Sequence, residues 1–458
     1  MDAKDVIIAE LRAQVQALLQ RVQELEEEVA RLKKDSHNSS KPPSSDIVKP
    51  PSRPAKRGSK KKRKRGGQFG HRKCSRVSFR TDEVDEVIEY ELAARDARGL
   101  ESLDEWRVVQ QVALPEKLYT VTEHRARKYR DPKTGAIITA PLPADVLQGG
   151  LLGSNMTTTV AFLKGACHMS YSTMQRFFRE VVRLDLSRGM LCKAVHKVSQ
   201  ALERPYLALR ERLPHEALLG IDETGHHDDG KLHWTWCFRT PGYSVFHIDP
   251  SRGSGVLEEI LGDEFAGVIG SDYWGAYRKY ARLFGARMQY CMAHLIREIR
   301  FLAEQKARDL SRWATNLLDD LKAIFRTLHR RERLTPAKFL RTMERHVETF
   351  LTRVRRPPDH AAARKLARRF EGEAAAEYFR FVHQPDVEPT NNATEREIRP
   401  VVIDRRITQG TRGQAGMRWC ERIWSILATC QKQARNSVEF LQLSLLAHWN
   451  QTDHPQLL

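Results

Sequence analysis

The sequence predicts a multidomain α/β protein. It comprises an N-terminal coiled coil, small β-rich and helical regions, and a mixed-sheet domain with an all-helical insertion. Three observations predict this class: a heptad repeat at the start, strand-like patterning after residue 216, and a long charged helical stretch at residues 301–386. A chain of 458 residues is long enough for two to four domains.

Composition narrows the functional class before any motif is considered. The chain has 77 Lys plus Arg against 58 Asp plus Glu, a net charge of +19, which indicates a polyanionic partner. It has no apolar run of membrane-spanning length, and its first residues lack the pattern of a signal peptide, so we expect a cytoplasmic protein without a membrane segment. Seven cysteines without a C-x-x-C pair argue against a disulfide framework and a four-cysteine zinc site.

The first segment, residues 1–35, carries a heptad repeat over residues 8–32. β-Branched residues at a and Leu at d favour a parallel two-stranded coiled coil, so we predict a homodimer or higher assembly through this helix. The alternative is a single amphipathic helix packed on its own domain. The a and d positions are Ile8, Leu11, Val15, Leu18, Val22, Leu25, Val29 and Leu32.

A basic linker follows at residues 36–75. It is rich in Pro and Ser and contains thirteen Lys or Arg against one acid, which predicts a disordered segment that neutralises DNA phosphates. A solvated solubility tail is the alternative, although the linker has almost no acid to balance its charge. The predicted DNA-binding residues here are Lys60, Lys61, Lys62, Arg63, Lys64 and Arg65.

The next two segments carry weaker patterns. Residues 76–145 predict a small β-rich domain with short strands at 108–112 and 119–122. Residues 146–212 predict helices. Within them, two helical stretches separated by a break at residues 185–187 fit a helix-turn-helix and a plain helical hairpin about equally well.

Residues 213–300 predict the order βββαβαβα. The first strand, 217–221, ends at Asp222, and the fourth, 267–271, ends at Asp272. This order is found in RNase H-like nucleases and transposases, where the first and fourth strands are neighbours. We therefore expect the two carboxylates to converge.

A third carboxylate is expected from a late helix. Glu395 lies in or just beyond the first turn of a helix that Thr390, Asn391 or Asn392 could cap, within the closing helices at residues 387–435. The intervening residues 301–386, with 19 bases and 12 acids, predict a basic helical insertion that could hold DNA or be a solvated bundle. Residues 436–458 are predicted to be a C-terminal tail.

Geometry separates these acids from their neighbours. Glu223 follows Asp222 on a strand and should point to the opposite face, and Glu397 lies about 200° around the helix from Glu395. Three converging carboxylates would repel one another without cations, which implies two Mg²⁺ ions per site, replaceable by Mn²⁺. The alternative is that they are ordinary strand-end and helix-cap acids.

Several motifs resemble those of transposases of the insertion sequence 66 family. The stretch DETG at 222–225 with GKLHWTW at 230–236 resembles the first-aspartate motif, and GSDYWGAY at 270–277 resembles the second. A C-x-x-H-x-x-R helix follows at 291–297. NNATER at 391–396, with the nearby pairs Arg399-Pro400 and Arg405-Arg406, resembles the glutamate motif. The linker stretches at 37–46 and 66–71 are similar to those of the family as well.

The resemblance implies an RNase H-like catalytic domain that binds the terminal inverted repeats of its element in double-stranded DNA. It also implies metal-dependent strand cleavage and transfer of the 3′-hydroxyl into target DNA. Asp222, Asp272 and Glu395 carry over as catalytic metal ligands. Further DNA-binding residues in or near the matching motifs are His294, Arg297, Arg396, Arg399, Arg405 and Arg406.

The sequence departs from the family at one place, because the cysteine-bearing zinc segment has no cysteine at residues 90–102 and 125–135. We therefore predict no zinc there; Cys291 with His294 is at best half a zinc site. The cluster at residues 226–229 (HHDD) fits a polar hairpin loop better than a metal site. Two rival functions stay open: a non-catalytic DNA-binding protein, such as a decayed transposase or repressor, and an RNase H-like nuclease without strand transfer.

Overall fold

A computed structural model describes the chain in the following ranges: residues 12–18, 21–22, 25, 29, 78–93, 95–100, 103 and 106–457. The chain divides into one unit at residues 52–122 and another formed by 1–51 with 123–458. Among the described residues, no helix is long and apolar enough to cross a membrane. The basic block predicted to bind DNA at residues 60–65 lies outside the described residues.

The described part of the heptad segment is helical. Its side chains at a and d positions are 46–65% exposed, so the apolar stripe is available for pairing. Those residues are Val15, Leu18, Val22, Leu25 and Val29. Assembly through this helix stays a proposal.

The prediction of strands at 108–112 and 119–122 was wrong. Among the described residues these stretches form no strand, and Val108 and Val112 are more than 70% exposed. The hairpin of this region lies later and is short, with β1 at Lys128–Arg130 and β2 at Ile137–Thr139. Strand propensity without a partner surface therefore misled the prediction.

Five helices then precede the large sheet. The two that the sequence predicted around the break at 185–187 are present, and the first of them continues into a π-helical turn at Phe178–Val182. The bounds are α1 Ala144–Gly149, α2 Ser154–Gly165, α3 Tyr171–Phe177, α4 Arg188–Ala201 and α5 Glu203–Arg212.

The large sheet is mixed and five-stranded, in the order β5-β4-β3-β6-β7. The first three strands are antiparallel neighbours, whereas β3, β6 and β7 run parallel. The predicted adjacency of the first and fourth strands of this sheet is thereby confirmed. The bounds are β3 Leu218–Asp228, β4 Lys231–Arg239, β5 Ser244–Asp249, β6 Val268–Ser271 and β7 Arg287–Tyr290.

The first strand of this sheet is longer than predicted. It continues past Asp222 to Asp228 because it pairs with β4 from Gly220 to Asp228, while its pairing with β6 ends at Gly220. Asp229 and Gly230, both at positive φ, make the tight turn of the hairpin. Asp222 therefore lies within the strand, at the point where the parallel partner has stopped.

Helices cover the sheet and complete the domain. Residues 301–386, predicted as a helical insertion, and residues 387–435, predicted as closing helices, are mainly helical. The bounds are α6 Gly255–Leu261, α7 Gly275–Phe284, α8 Met292–Ala303, α9 Arg308–Leu328, α10 Pro336–Val354, α11 Ala361–Ala367, α12 Ala376–Phe379, α13 Asn392–Thr408, α14 Gln414–Lys432 and α15 Ser437–Asn450.

The predicted C-terminal tail is instead the helix α15. Asn436 caps it by accepting hydrogen bonds from the amides of Val438 and Glu439. Phe440, Leu441 and other apolar side chains of α15 are buried, and the helix packs against α1, α2 and α4. The Asn cap before an apolar stretch was the signal that the sequence analysis missed.

Helix α14 covers the outer edge of β5 and satisfies its free amides. One turn of a helix and two residues of a strand span similar distances along their axes. Side chains four residues apart on α14 can therefore reach the amides of alternate residues of β5. The hydrogen bonds run from Ser244 N to Thr429 Oγ1 (3.2 Å), from Phe246 N to Ser425 Oγ (2.8 Å) and from Ile248 N to Glu421 Oε1 (2.8 Å). The helix thus prevents pairing of this edge with another chain.

Ser425→Ala should destabilise the fold by about 1–3 kcal/mol, because the buried amide of Phe246 would lose its acceptor. The free energy of unfolding, measured by urea denaturation, checks this. Ser444→Ala is the matched control, since Ser444 is a buried serine of α15 whose hydroxyl has no hydrogen-bond partner. The control should be neutral or slightly stabilising; equal effects of the two substitutions would contradict the role of Ser425.

Candidate functional site

The three predicted acids come from three different elements. Asp222 lies within β3, Asp272 directly follows β6, and Glu395 lies in the first turn of α13, as predicted. Asp272 Oδ1 accepts a hydrogen bond of 2.9 Å from the amide of Trp274, which holds the turn after the strand. Both aspartates are partly exposed to solvent.

Electrostatics show that these acids influence one another. Burial raises the pKa of Asp222 well above its usual value, and the charges of Glu223, Asp272 and Glu395 raise it further. Burial, followed by the charge of Glu223, raises the pKa of Asp272 to about 7. Ionising all of these carboxylates at once is therefore unfavourable unless cations compensate their charge.

Glu395 lies beside two residues of α8 that were predicted to bind DNA. His294 Nε2 is 3.8 Å from Glu395 Oε1, and Arg297 Nη2 is 3.7 Å from Oε2. Burial, and the charge of Arg297, lower the pKa of His294 to about 4, so its ring is neutral at physiological pH. Both side chains are mostly buried in the structure and face the glutamate.

The start of α13 is anchored to the centre of the sheet. Asn391 Nδ2 donates a 2.8 Å hydrogen bond to the carbonyl of Ile221, and the Asn391 amide donates to Cys291 Sγ at 3.1 Å. A Cβ on Gly220 would come within 2.3 Å of Thr394 Oγ1, so only glycine allows the helix to approach β3 this closely. These contacts place Glu395 beside the strand that carries Asp222.

The position of Asn391 corrects part of the sequence analysis. It occupies the N-cap of α13, but its side chain makes no cap hydrogen bond. The amide group is used instead to join the helix to β3, one residue before Asp222. A residue that looked like a local cap is therefore a tertiary contact.

Arg405 reinforces the same contact from the other end of α13. Its guanidinium donates to Thr224 Oγ1 at 3.0 Å and to the carbonyl of Gly225. Arg405 was predicted to bind DNA, and in the structure it bridges α13 and β3. The other arginines predicted on this helix, Arg396, Arg399 and Arg406, are exposed.

Glu223 points away from Asp222 but is not isolated from the site. Its buried carboxylate accepts a hydrogen bond from Tyr277 Oη and a 2.7 Å bond from Arg252 Nε. The Arg252 guanidinium lies between the rings of Trp234 and Trp274, at 4.5 and 4.1 Å from their centroids. Glu223 is thus a supporting acid whose charge affects both aspartates, a role that adjacency on the strand did not reveal.

The helical insertion reaches the loop that carries Asp272. Arg369 pairs with Glu298 of α8 at 2.7 Å, and its guanidinium lies 4.5 Å from the centroid of the Tyr273 ring. Tyr273 also stacks on Tyr378 at 5.9 Å. The insertion therefore packs against the residue next to the second aspartate.

Two other acids, Asp228 and Glu397, have structural roles. Asp228 accepts hydrogen bonds from Thr411 Oγ1 (2.6 Å) and from the Gly413 amide (2.7 Å). The predicted polar hairpin loop at 226–229 was wrong for residues 226–228, because they pair with β4 as part of β3. Glu397 faces α14 and pairs with Lys432 at 2.9 Å, as expected from its position around the helix.

The donor set fits divalent cations. It consists of hard carboxylate oxygens, and the buried Glu395 Oε1 has no hydrogen-bond partner. The oxygens of Asp222, Asp272 and Glu395 do not all lie within 4.8 Å of one another; in the described part of the chain one other group, His247, Asp249 and Glu259, does so.

Comparison with known families decides the assignment. The family model described as "Transposase IS66 family" matches residues 149–419, more than half of the chain. The chain belongs to the IS66 transposase family. The match contains the three acids, the docking contacts of α13 and the whole helical insertion.

Outside this IS66 segment, a family of unknown function, DUF6444, matches residues 2–77, which include the heptad and basic segments. No curated protein matches the chain. For the IS66-family part, the sequence resemblance noted from separate motifs is thereby confirmed.

Proposed function

We propose that this protein is a DDE transposase with an RNase H-like catalytic domain. It binds the terminal inverted repeats of an insertion sequence and catalyses metal-dependent strand cleavage and 3′-hydroxyl strand transfer into target DNA. The observation that carries the proposal is the electrostatic coupling of Asp222 to Asp272 and Glu395, acids from three elements of the family segment. Such mutual repulsion inside a partly exposed site is typical of a cation-binding catalytic centre.

Asp222 and Asp272 would hold two Mg²⁺ ions, and Glu395 would complete the site of the second ion. Mn²⁺ could replace Mg²⁺. When bound, the ions would activate a water or a 3′-hydroxyl and stabilise the leaving oxygen of the phosphodiester. Glu395 is kept in place by the docking of α13 through Asn391 and Gly220.

The surrounding residues would support these ligands. The neutral ring of His294 and the guanidinium of Arg297 lie on either oxygen of Glu395 and would orient it. Glu223, held by Tyr277 and Arg252, would add a negative charge near the two aspartates from the other face of the sheet. Arg252 also orders the indole of Trp274 next to Asp272.

A reaction on end DNA tests the proposal. Purified full-length chain, a DNA fragment with the terminal repeat, a supercoiled target plasmid and Mg²⁺ should yield covalently joined product. Binding without any cleavage would favour the non-catalytic DNA-binding protein. Cleavage without joined product would favour the RNase H-like nuclease.

Assembly belongs to the same proposal. The exposed apolar stripe on the N-terminal helix supports a homodimer or a higher assembly, which would let one complex hold both element ends. Sedimentation equilibrium of the chain with and without residues 1–35 tests it; a monomer in both forms would contradict it.

The exposed arginines of α13 are expected to contact DNA phosphates. Arg399→Ala should weaken binding to all DNA sequences alike and lower the slope of log K against log salt by about 0.9. Binding measured by fluorescence anisotropy at several salt concentrations checks this. Arg412→Ala, in the loop after α13, is the control with which the effect of Arg399→Ala is compared. A loss of binding to only one DNA sequence in Arg399→Ala would contradict a phosphate contact.

A further inference from the structure

A second group of ligand-type side chains lies at the edge of the sheet, away from the three acids. His247 and Asp249 are on β5 and Glu259 is on α6, and one ligand atom from each lies within 4.8 Å of the others. His247 and Asp249 are two residues apart on the strand and therefore point to the same face. The group opens to solvent through Glu259, which is exposed.

The histidine at the centre of this group lacks proper hydrogen bonds. The side chain of His247 is only 7% exposed, and neither ring nitrogen has an aligned partner. Nδ1 lies 3.0 Å from Glu421 Oε1, out of line for a hydrogen bond, and Nε2 lies 4.0 Å from Asp249 Oδ2. A buried imidazole with an unsatisfied nitrogen aimed at carboxylates needs an explanation.

The charged side chains around the His247 ring include more carboxylates than arginines. Three carboxylates surround it: Asp249, Glu259 and Glu421. Two arginines partly compensate them, with Arg210 2.5 Å from Glu259 and Arg418 3.3 Å from Glu421. The three carboxylates outnumber the two arginines that pair with them.

Glu421 has the position that an orienting residue takes behind a metal-bound histidine. It is buried on α14, and its Oε1 also accepts from the amide of Ile248. A metal-ligating imidazole commonly directs its other nitrogen at such a carboxylate.

We propose that His247, Asp249 and Glu259 form a second metal site, which takes a divalent transition-metal ion. His247 binds through Nε2, with Nδ1 turned toward Glu421, and the two carboxylates supply oxygen ligands. One imidazole with two carboxylates suits Mn²⁺, Co²⁺ or Zn²⁺ better than Mg²⁺, which prefers oxygen ligands alone. The site joins β5 to α6 and so holds both ends of the loop that carries Arg252.

The test uses the full-length chain with Asp222→Asn, Asp272→Asn and Glu395→Gln, so that the proposed catalytic acids contribute no metal binding. Titration with Co²⁺ should produce visible d–d absorption. Titration with Mn²⁺ should produce modulation from a bound imidazole nitrogen in the electron spin echo envelope of the ion. Adding His247→Gln should remove both signals. His196→Gln, at an exposed histidine of α4, is the matched control and should leave them unchanged.

Glu259→Gln provides a second variant that tests the same site at an exposed position, where folding is not at risk. It should weaken Co²⁺ binding at least tenfold while the circular dichroism spectrum stays the same. If no ion binds to the parent variant, the proposal is wrong. It is also wrong if His247→Gln and Glu259→Gln bind Co²⁺ as tightly as the His196→Gln control, since His247 would then be a structural ion-pair partner only.

Discussion

Asp272→Asn should reduce strand transfer by more than about a hundredfold while binding of end DNA is preserved. Asparagine keeps an Oδ1 that can accept the hydrogen bond from the Trp274 amide, so the turn after β6 should survive. What is lost is one carboxylate ligand of the proposed ions. Joined product on a gel and anisotropy with end DNA measure the two quantities.

The same substitution should stabilise the metal-free protein. The pKa of Asp272 is raised to about 7 in the folded state, above an unfolded value of about 3.9. The folded state therefore binds more protons between these values, and the stability of the wild type falls as the pH rises from about 4 to about 7. Asp272→Asn removes this contribution, so its Tm advantage should grow across that range and level off above it.

Glu223→Gln is the matched comparison for Asp272→Asn. It changes a buried carboxylate that supports the site but is not a proposed ligand, so the loss of strand transfer should be smaller, about 10–100-fold. Retained metal-dependent transfer by Asp272→Asn, or a larger loss with Glu223→Gln, would contradict the assigned roles.

Gly220→Ala should displace the helix that carries Glu395. The added Cβ would come within 2.3 Å of Thr394 Oγ1, which forces α13 away from β3. We expect a loss of about 1–3 kcal/mol in the free energy of unfolding. We also expect a loss of up to about a hundredfold in strand transfer, because Glu395, a proposed metal ligand, would be misplaced. Urea denaturation and the joining assay measure these effects.

Thr394→Ala should restore much of what Gly220→Ala loses. Removing Oγ1 leaves the next nearest atoms, Asn391 Oδ1 at 3.4 Å and Thr394 Cβ at 3.7 Å, at ordinary contact distances. Gly255→Ala is the control, since a Cβ there meets nothing within 4 Å. A double variant no better than Gly220→Ala alone would show that the close approach of Thr394 does not explain the effect.

The strand and helix order around the site could be predicted because each signal is local. Residues 267–271 form a short apolar run, and α7 and α8 follow it within a residue or two of the predicted bounds. Glu395 was predicted in the first turn of a helix or just beyond it, from the polar residues before it, and it lies in the first turn. These features depend on neighbours a few residues away.

Other features depend on distant partners and were missed or misjudged. The end of β3 could not be placed from its apolar run, since pairing with β4 extends the strand to Asp228. Asn391 looked like a cap because the carbonyl of Ile221, its actual partner, lies 170 residues earlier. Exposed valines at 108–112 show the reverse error, in which strand propensity found no partner.

By itself, the sequence determined the family, the adjacent strands that bring Asp222 and Asp272 together, and the placement of Glu395 at the start of a helix. Periodicity and motif spacing are local properties, so they can be recognised without knowledge of the fold. Tertiary structure alone decided that Glu223 acts on both aspartates, that His294 and Arg297 face Glu395, and that His247 is buried among carboxylates. Burial and charge depend on what the rest of the chain packs around a residue, and no short stretch of sequence contains that information.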